Sequence, residues 1–360
     1  LEGNYLFNKG GIYLRKLASI RTIKELNPIP GADKIETALV DGWTVVVQKE
    51  LHETGDRIVF VEVDAILPDI PEFEFMRPRG FRVKTIRLMK QLSQGLIFPM
   101  SILDGKKFKT DDRENPTYGF YAGADVTELL GIVKYEPKVS TCLSGIAKGA
   151  FPSFIPKTDE ERIQNVLQIL EEFKGEQFYV TEKLDGTSMT CYLKDGEFGV
   201  CSRNLDLERN ETNLYWKVAR KHCIETKLRD YFNDTGIELA VQGELIGSGV
   251  HGNKYGFVEG DNEFRLYNVY NITFHRYLCY GEVMDFARSL FHMVPIILHI
   301  KSMNHTLESI LDLADGTSVM SSDTLREGIV VRPMVERFYP PIGRLSFKVV
   351  SNKFLEKNKE

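Results

Sequence analysis

The spacing of apolar residues changes near residue 140. From residue 14 to about 115 it follows a strand period. RKLASIRTIKELNPI (15–29), ADKIETALVDGWTVVVQKE (32–50), GDRIVFVEVDAILP (55–68) and KTIRLMKQLSQGLIFPM (84–100) are short β-rich runs broken by Gly, Pro and Asp-Gly turns. That texture predicts a small β-barrel of OB type over 14–115. The polar, turn-rich stretch that begins near residue 103 predicts a linker, placed at 116–139. In KTDEERIQNVLQILEEFKG (157–175), Thr158 with Glu161 three residues on makes a capping box, and Ile163, Val166, Leu167, Leu170 and Phe173 share one helical face. A helix ended by Gly175 is therefore expected. QFYVT (177–181) then reads as a strand, KDGE (194–197) as a hairpin turn and NLYWKVARKHCIETKLRDYF (213–232) as a helix. IELAVQGELIG (237–247), EFRLYNVYNI (263–272), GIVVRP (328–333) and RLSFKVVS (344–351) read as strands, with helices around 284–291 and 306–314. The order predicts an α+β domain over 140–360 with antiparallel pairing, not a doubly wound series.

Several charged residues interrupt these apolar strands, where burial is costly without partners. Glu244 lies inside AVQGELIG, Glu327 precedes GIVVRP, and Lys348 lies inside LSFKVV. Lys183 ends the strand QFYVTEK, and Asp185 follows it by two, so an extended backbone points both to one side. Gly186 is expected to let the chain turn closely past a ligand. The tetrapeptide KLDG is weak evidence on its own: Asp-Gly occurs five times here, and K-x-D-G turns up by chance in roughly one chain in ten of this length. The surrounding carboxylates and cations change its weight. A lysine nucleophile must lose a proton from an ordinary pKa of about 10.4, and desolvation, a neighbouring cation such as Lys348 or a metal ion would favour that loss. Glu327, Asp185 and Glu244 are a carboxylate set suited to magnesium.

Bulk properties narrow the setting. The chain has 360 residues, enough for two cored domains, with 42% apolar and 27% charged residues. No apolar window is long enough to span a membrane. Residues 1–13, without an apolar signal core, are expected to lie outside the fold. Cys142, Cys191, Cys201, Cys223 and Cys279 form no C-x-x-C pair, which suits an intracellular, reducing compartment, and the seven histidines make no zinc pattern. A net charge of −5 excludes a generally basic coat, so any nucleic-acid contact must be local. Such a patch exists in RPRGFRVKTIRLMK (77–90), where Arg77, Arg79, Arg82, Lys84, Arg87 and Lys90 stand without an acidic residue and Phe81 is available for stacking.

Taken in order, EKLDGTS, CSRN, VQGELIG, LYNVYNI, REGIVVRP and LSFKVVSNK resemble the nucleotidyltransferase motifs of ATP-dependent RNA and DNA ligases and mRNA capping enzymes. FPSFIPKTDEERIQN before Lys183, and RVKTIRLMKQLSQGLIFP in an N-terminal barrel, are similar to RNA ligases of the Deinococcus–Naegleria type, which carry the OB domain ahead of the transferase domain. The resemblance spans nearly the whole chain. It implies an ATP-grasp-like adenylyltransferase domain, ATP and magnesium or manganese as cofactors, and RNA as the partner of a monomeric RNA-repair enzyme. It further implies Lys183 as the adenylylated nucleophile, Glu182 as a reader of adenine, and Arg203 as a holder of the nucleotide or the RNA 5′-phosphate. Glu244 would contact the ribose and, through water, the metal. Tyr270 would stack on adenine, with Tyr267 the rival, Glu327 would bind the metal and Lys348 the α-phosphate. Three positions depart from relatives: Ser346 where a second lysine is frequent, Asn271 for an aspartate and Ser188 for an asparagine.

Two other enzymes share the motif set, a DNA ligase and a capping-type guanylyltransferase. A non-catalytic RNA- or tRNA-binding protein is a further alternative, because NPIPGADKIETALVDGW resembles tRNA-binding barrels of aminoacyl-tRNA synthetases. That alternative leaves Lys183, Glu244, Glu327 and Lys348 unexplained.

Overall fold

The computed structural model describes residues 16–106, 120–135, 146–288, 290–340 and 342–357. Cys142 lies outside the described residues. The chain divides into two compact units, one built from residues up to 138 and from 355 on, the other from residues 139–354.

The first unit is all-β in its regular sheet structure. Its strands are β1 (Ala18–Thr22), β2 (Glu25–Pro28), β3 (Ile35–Val40), β4 (Trp43–Gln48), β5 (Arg57–Val61), β6 (Ala65–Ile66), β7 (Ile86–Leu88), β8 (Gln91–Ser93), β9 (Leu96–Pro99) and β10 (Val133–Lys134). They form antiparallel sheets β1-β5-β9 and β2-β3-β4, with the pairs β7-β8 and β10-β6. Bonds between β8 and β4 stitch sheets together: Gln94 N–H, just after β8, donates to the Thr44 carbonyl at 2.7 Å and Val46 N–H to the Ser93 hydroxyl at 3.0 Å. Trp43 and Phe60, both fully buried with ring centroids 5.7 Å apart, fill the space this encloses. Gly95 is needed here: its φ is +100°, and a Cβ would sit 2.6 Å from the Val61 carbonyl oxygen. Between β6 and β7 runs a 3₁₀ stretch, Pro71–Arg79, anchored by buried Phe73 and Met76.

The second unit holds two sheets. The larger contains β11 (Ala147–Ala150), β14 (Thr187–Lys194), β15 (Glu197–Cys201), β16 (Leu205–Leu207), β17 (Leu239–Gly247), β18 (Asn262–Asn271) and β19 (Arg276–Tyr277), in the order β11-β16-β15-β14-β17-β18-β19. The smaller contains β12 (Glu161–Arg162), β13 (Phe178–Lys183), β20 (Ile296–Ile300), β21 (Gly328–Pro333) and β24 (Phe347–Val350), in the order β12-β24-β21-β13-β20. A short pair, β22 (Phe338–Tyr339) and β23 (Gly343–Arg344), precedes β24. Pairing in the two sheets is antiparallel except for β12 with β24. Helices α2 (Leu214–Lys221), α3 (Ile224–Thr235) and α4 (Tyr280–Ala287) cover the larger sheet around Trp216, Leu228 and Phe286. Helix α1 (Ile169–Glu172) and α5 (Leu307–Ala314) share a core with the smaller sheet through Ile169 and Ile310.

The helix expected from Thr158 is mostly absent. Glu161 and Arg162 are taken into parallel pairing with Phe347 and Lys348, Ile163–Asn165 form a 3₁₀ turn, and only Ile169–Glu172 are α-helical. The apolar face is nevertheless real, because Ile163, Val166, Ile169 and Leu170 are buried in the smaller-sheet core. Thr158 and Glu161 do not cap a helix. The Thr158 hydroxyl lies 3.1 Å from that of Tyr267, and Glu161 accepts from Asn165 at 2.8 Å. The helix expected over 213–232 is two helices, broken at Cys223, whose φ of 51° is left-handed.

Trp43→Ala should destabilise the first unit by about 3–5 kcal/mol, the usual cost of removing a buried large aromatic. Urea denaturation followed by far-UV circular dichroism measures this as an earlier transition.

Candidate active site

Residues from both sheets of the second unit line a cavity of about 380 Å³, within the usual size of a small-ligand site. Lys183 ends β13 opposite Gly328, so the residue before β21, Glu327, arrives beside it. The Lys183 ammonium and the Glu327 carboxylate form an ion pair, with side chains 28% and 18% exposed. β17 supplies Glu244, opposite Ser188 of β14, and β24 supplies Lys348. Lys183, Glu182, Asp185, Glu244, Glu327, Lys348 and Arg203 all line the cavity. Gly186 is required by packing: a Cβ there would sit 2.5 Å from the Leu245 carbonyl oxygen of β17.

The charge balance differs from the expected one. Desolvation by burial does press Lys183 toward the neutral amine, but Glu327, Glu244 and Asp185 outweigh it and raise the pKa above the ordinary lysine value. Lys183 is therefore an ammonium at neutral pH. Lys348, expected to lower it, instead lies 3.5 Å from Asp159, which also receives Arg203 at 3.3 Å. Glu244 bears the opposite strain. Burial, with Glu327, Asp185 and Glu160 nearby, pushes its carboxyl up to about 8 against the pull of Lys183.

Asp185, expected among the metal ligands, is engaged elsewhere. His251 Nδ1 lies 2.8 Å from one of its oxygens and Lys254 forms an ion pair with the other. Both come from the loop between β17 and β18. Together they outweigh burial and hold the Asp185 carboxyl below its usual range. Glu182 is buried, with one oxygen accepting from Val319 N–H at 2.8 Å and the other, Oε1, without a partner among the described residues. Burial raises its pKa.

Tyr270 does not line the cavity. It is buried against Tyr277, with centroids 5.1 Å apart, in a separate cluster with Ile155 and Tyr192. Its rival Tyr267 lines the cavity instead, its hydroxyl 3.1 Å from those of Thr158 and Ser188. The register of β18 slips between the partners of Gln242 and Gly243, leaving Tyr267 as the extra residue of a bulge. Three charged cavity residues, Asp159, Glu160 and Arg332, escaped the sequence reading. Arg332, only 2% exposed, donates to Glu160 at 3.0 Å and carries its guanidinium 5.9 Å from the Tyr267 ring centroid. Although burial opposes the Glu160 charge, Arg332, Arg344 and Lys348 hold its pKa below the ordinary value. A charged residue in the apolar GIVVRP was the available signal for Arg332, the same one that singled out Lys348. Ser346 is buried with its hydroxyl 3.5 Å from Glu160 and does not line the cavity.

The basic run of the first unit is partly neutralised. Arg77 is bonded to Asp69 at 2.5 Å and Glu74 at 2.7 Å and lies over the Phe81 ring at 5.3 Å. Arg82 pairs with Asp64 at 2.8 Å and stacks on Tyr135 at 3.6 Å. Arg87 donates to the Leu355 carbonyl of the same unit. Arg79 and Lys84, both exposed, have no ion pair among the described residues.

A nucleophile-type lysine among carboxylates, with Lys348, Arg332 and Arg203 lining the same cavity, is the arrangement of a covalent nucleotidyltransferase. The RNA ligase family model matches residues 176–350, and an OB-fold domain model matches residues 17–100. Among solved structures, a mutant of Naegleria gruberi RNA ligase with AMP and Mn is 39% identical, with a TM-score of 0.77, 96% of this chain and 99% of that chain being covered. Naegleria gruberi RNA ligase with PPi gives 39% identity and a TM-score of 0.76 over the same shares. A mutant with ATP and Mn gives 39% and 0.77, again covering 96% and 99%. No curated protein sequence matches significantly. The chain belongs to the RNA ligase family. Among the described residues, no helix is long and apolar enough to cross a membrane.

Two outcomes follow. Because the folded Glu244 pKa is raised, the fold holds a proton that the unfolded chain releases, and stability falls as pH climbs from the ordinary carboxyl range to about 8. Glu244→Gln should therefore melt several degrees above wild type at pH 8 in metal-free buffer, the gap closing toward pH 4, by differential scanning fluorimetry. Arg332→Met should lose about 3–5 kcal/mol in chemical denaturation, because it strands Glu160 without its buried partner.

Proposed function

We propose that the chain is an ATP-dependent RNA ligase that joins RNA 3′-hydroxyl and 5′-phosphate ends in RNA repair, with Lys183 as its nucleophile. The placement of Lys183 carries this reading: it ends a buried strand, points into the cavity, and is paired with Glu327 and flanked by Glu244. The Naegleria structures solved with ATP, AMP, PPi and Mn support ATP and a divalent metal as its co-reactants.

Glu327 and Glu244 fit a divalent cation, since both line the cavity beside Lys183 and Glu244 is a buried carboxyl whose charge burial and the neighbouring carboxylates disfavour. No group of three His, Cys, Asp or Glu side chains is assembled for a metal among the described residues, and magnesium commonly takes one or two carboxylates with phosphate oxygens and water. When bound, the cation neutralises carboxylate and phosphate charge. Glu327 would then have a partner other than Lys183, which would favour the neutral Lys183 amine.

The neutral Lys183 amine attacks the α-phosphorus of ATP, the bond to pyrophosphate breaks, and a lysine–AMP phosphoramidate forms. AMP passes to an RNA 5′-phosphate, and a 3′-hydroxyl then displaces AMP to close the phosphodiester. Each step is an in-line displacement, so alignment and charge supply most of the rate. Lys348, Arg203 and Arg332 are the cations that grip phosphate, and Arg332 stands in for the lysine that Ser346 replaces. The free Oε1 of Glu182 accepts from the adenine amino group, and Tyr267 is the aromatic wall in place of Tyr270. The enzyme acts as a monomer in a reducing compartment, in keeping with the free thiols of Cys191, Cys201, Cys223 and Cys279.

Incubation with magnesium and α-labelled ATP should label the protein covalently, and Lys183→Met should abolish the label. Label retained in that variant removes the nucleophile assignment. Because carboxylates hold Lys183 protonated until a cation is bound, the single-turnover rate of labelling at limiting magnesium should rise with pH from neutrality into the alkaline range, and less steeply at saturating magnesium. A rate flat over that range contradicts the charge balance.

A further inference from the structure

The first unit contains a second cavity, of about 190 Å³. Its apolar walls are Met76 from the 3₁₀ stretch, Val83, Ile86 and Leu96, with Gly95 beside them. Arg79, Arg82 and Lys84 complete the lining. The volume is well below the roughly 300–1,000 Å³ of sites that enclose a drug-sized ligand, so the cavity holds a fragment such as one planar ring. An apolar slot rimmed by three cations has the chemistry of a heterocyclic base attached to phosphates. The cations are not equivalent. Arg82 is held by Asp64 and Tyr135, so its position is set, and its buried Nε has no hydrogen-bond partner among the described residues. Arg79 and Lys84 are exposed and have no ion pair among the described residues.

We propose that this cavity is a base-binding subsite for one unpaired RNA nucleotide, resting on the reading of the chain as an RNA ligase. The base enters between Met76, Ile86 and Leu96, the Arg82 Nε–H donates to a base acceptor, and Arg79 and Lys84 neutralise the phosphates on either side. The charge complementarity favours nucleic acid over an apolar peptide, since a peptide would leave the rim charges of Arg79 and Lys84 without phosphate to neutralise them. The subsite would sense a single-stranded segment of the substrate and would be indifferent to the sealing chemistry.

Two variants separate pocket from charge in the full-length protein. Ile86→Trp fills the cavity from the partly exposed β7 strand, and Arg79→Ala with Lys84→Ala removes the rim charge. Binding is measured by fluorescence anisotropy on RNA carrying an unpaired segment, with single abasic nucleotides scanned along it. The expected result is about a tenfold loss of affinity in Ile86→Trp, matched in wild type by an abasic site at one position and not additive with it. The double variant should reduce the salt slope by about 1.4, the share of two single-strand phosphates. Wild-type affinity in a folded Ile86→Trp protein, confirmed by its melting curve, overturns the proposal. So does an abasic scan that costs nothing at any position. Lysine–AMP formation, assayed alongside, tests the ligase reading separately: its absence from wild type would remove that reading and not the base pocket.

Discussion

The Lys183–Glu327 pair is the contact on which the catalytic unit turns. It exists because β13 and β21 are antiparallel neighbours whose register sets Lys183 against Gly328, with Glu327 one residue before. Glu244 on the other sheet adds a second carboxylate close enough to raise the lysine pKa, while burial, with the neighbouring carboxylates, drives its own up to about 8. The cavity thus holds more negative charge than it can comfortably ionise. Such a site stores its reactivity: the lysine is buried and directed but protonated, and only added positive charge makes it an amine.

Placement of the other charges follows the same logic. Cations not needed beside Lys183 are parked on acids around the rim, Lys348 and Arg203 on Asp159, and Arg332 on Glu160. A triphosphate would compete for all three without disturbing the Lys183–Glu327 register. Asp185 is drawn away by His251 and Lys254, which couples the strand end carrying Lys183 to the loop between β17 and β18. Ion pairs of this kind, exposed or buried, contribute little net stability. Their use here is to fix which charge faces the ligand.

Much of this was legible in the residues. Lys183, Glu244, Glu327 and Lys348 showed themselves because charge inside an apolar strand demands a partner, and the structure brings all four to one cavity. What failed depended on contacts distant in sequence. The helix expected from Thr158 yielded to β12 pairing with β24, about 186 residues away by its Glu161–Phe347 register. Tyr267 and Tyr270 could not be told apart because a bulge, set by the partner strand, decides which one reaches the cavity. The predicted downward shift of Lys183 missed that three carboxylates outweigh burial. In the barrel, the run from Arg77 to Lys90 was visible as charge, but Asp69, Glu74 and Asp64, just before and within the same fold, had already claimed Arg77 and Arg82.

The central claim, that carboxylates hold Lys183 as an ammonium until cationic charge arrives, is tested most directly by ¹⁵N NMR of the lysine side chains, with Lys183→Met used to assign the Lys183 Nζ signal. Titrated without metal, that signal should stay protonated beyond the ordinary lysine range, and in Glu327→Gln its pKa should fall. On adding magnesium to the wild-type protein it should move below its metal-free value. A Lys183 pKa already below the ordinary value without metal, or one that magnesium leaves unmoved, would contradict the account.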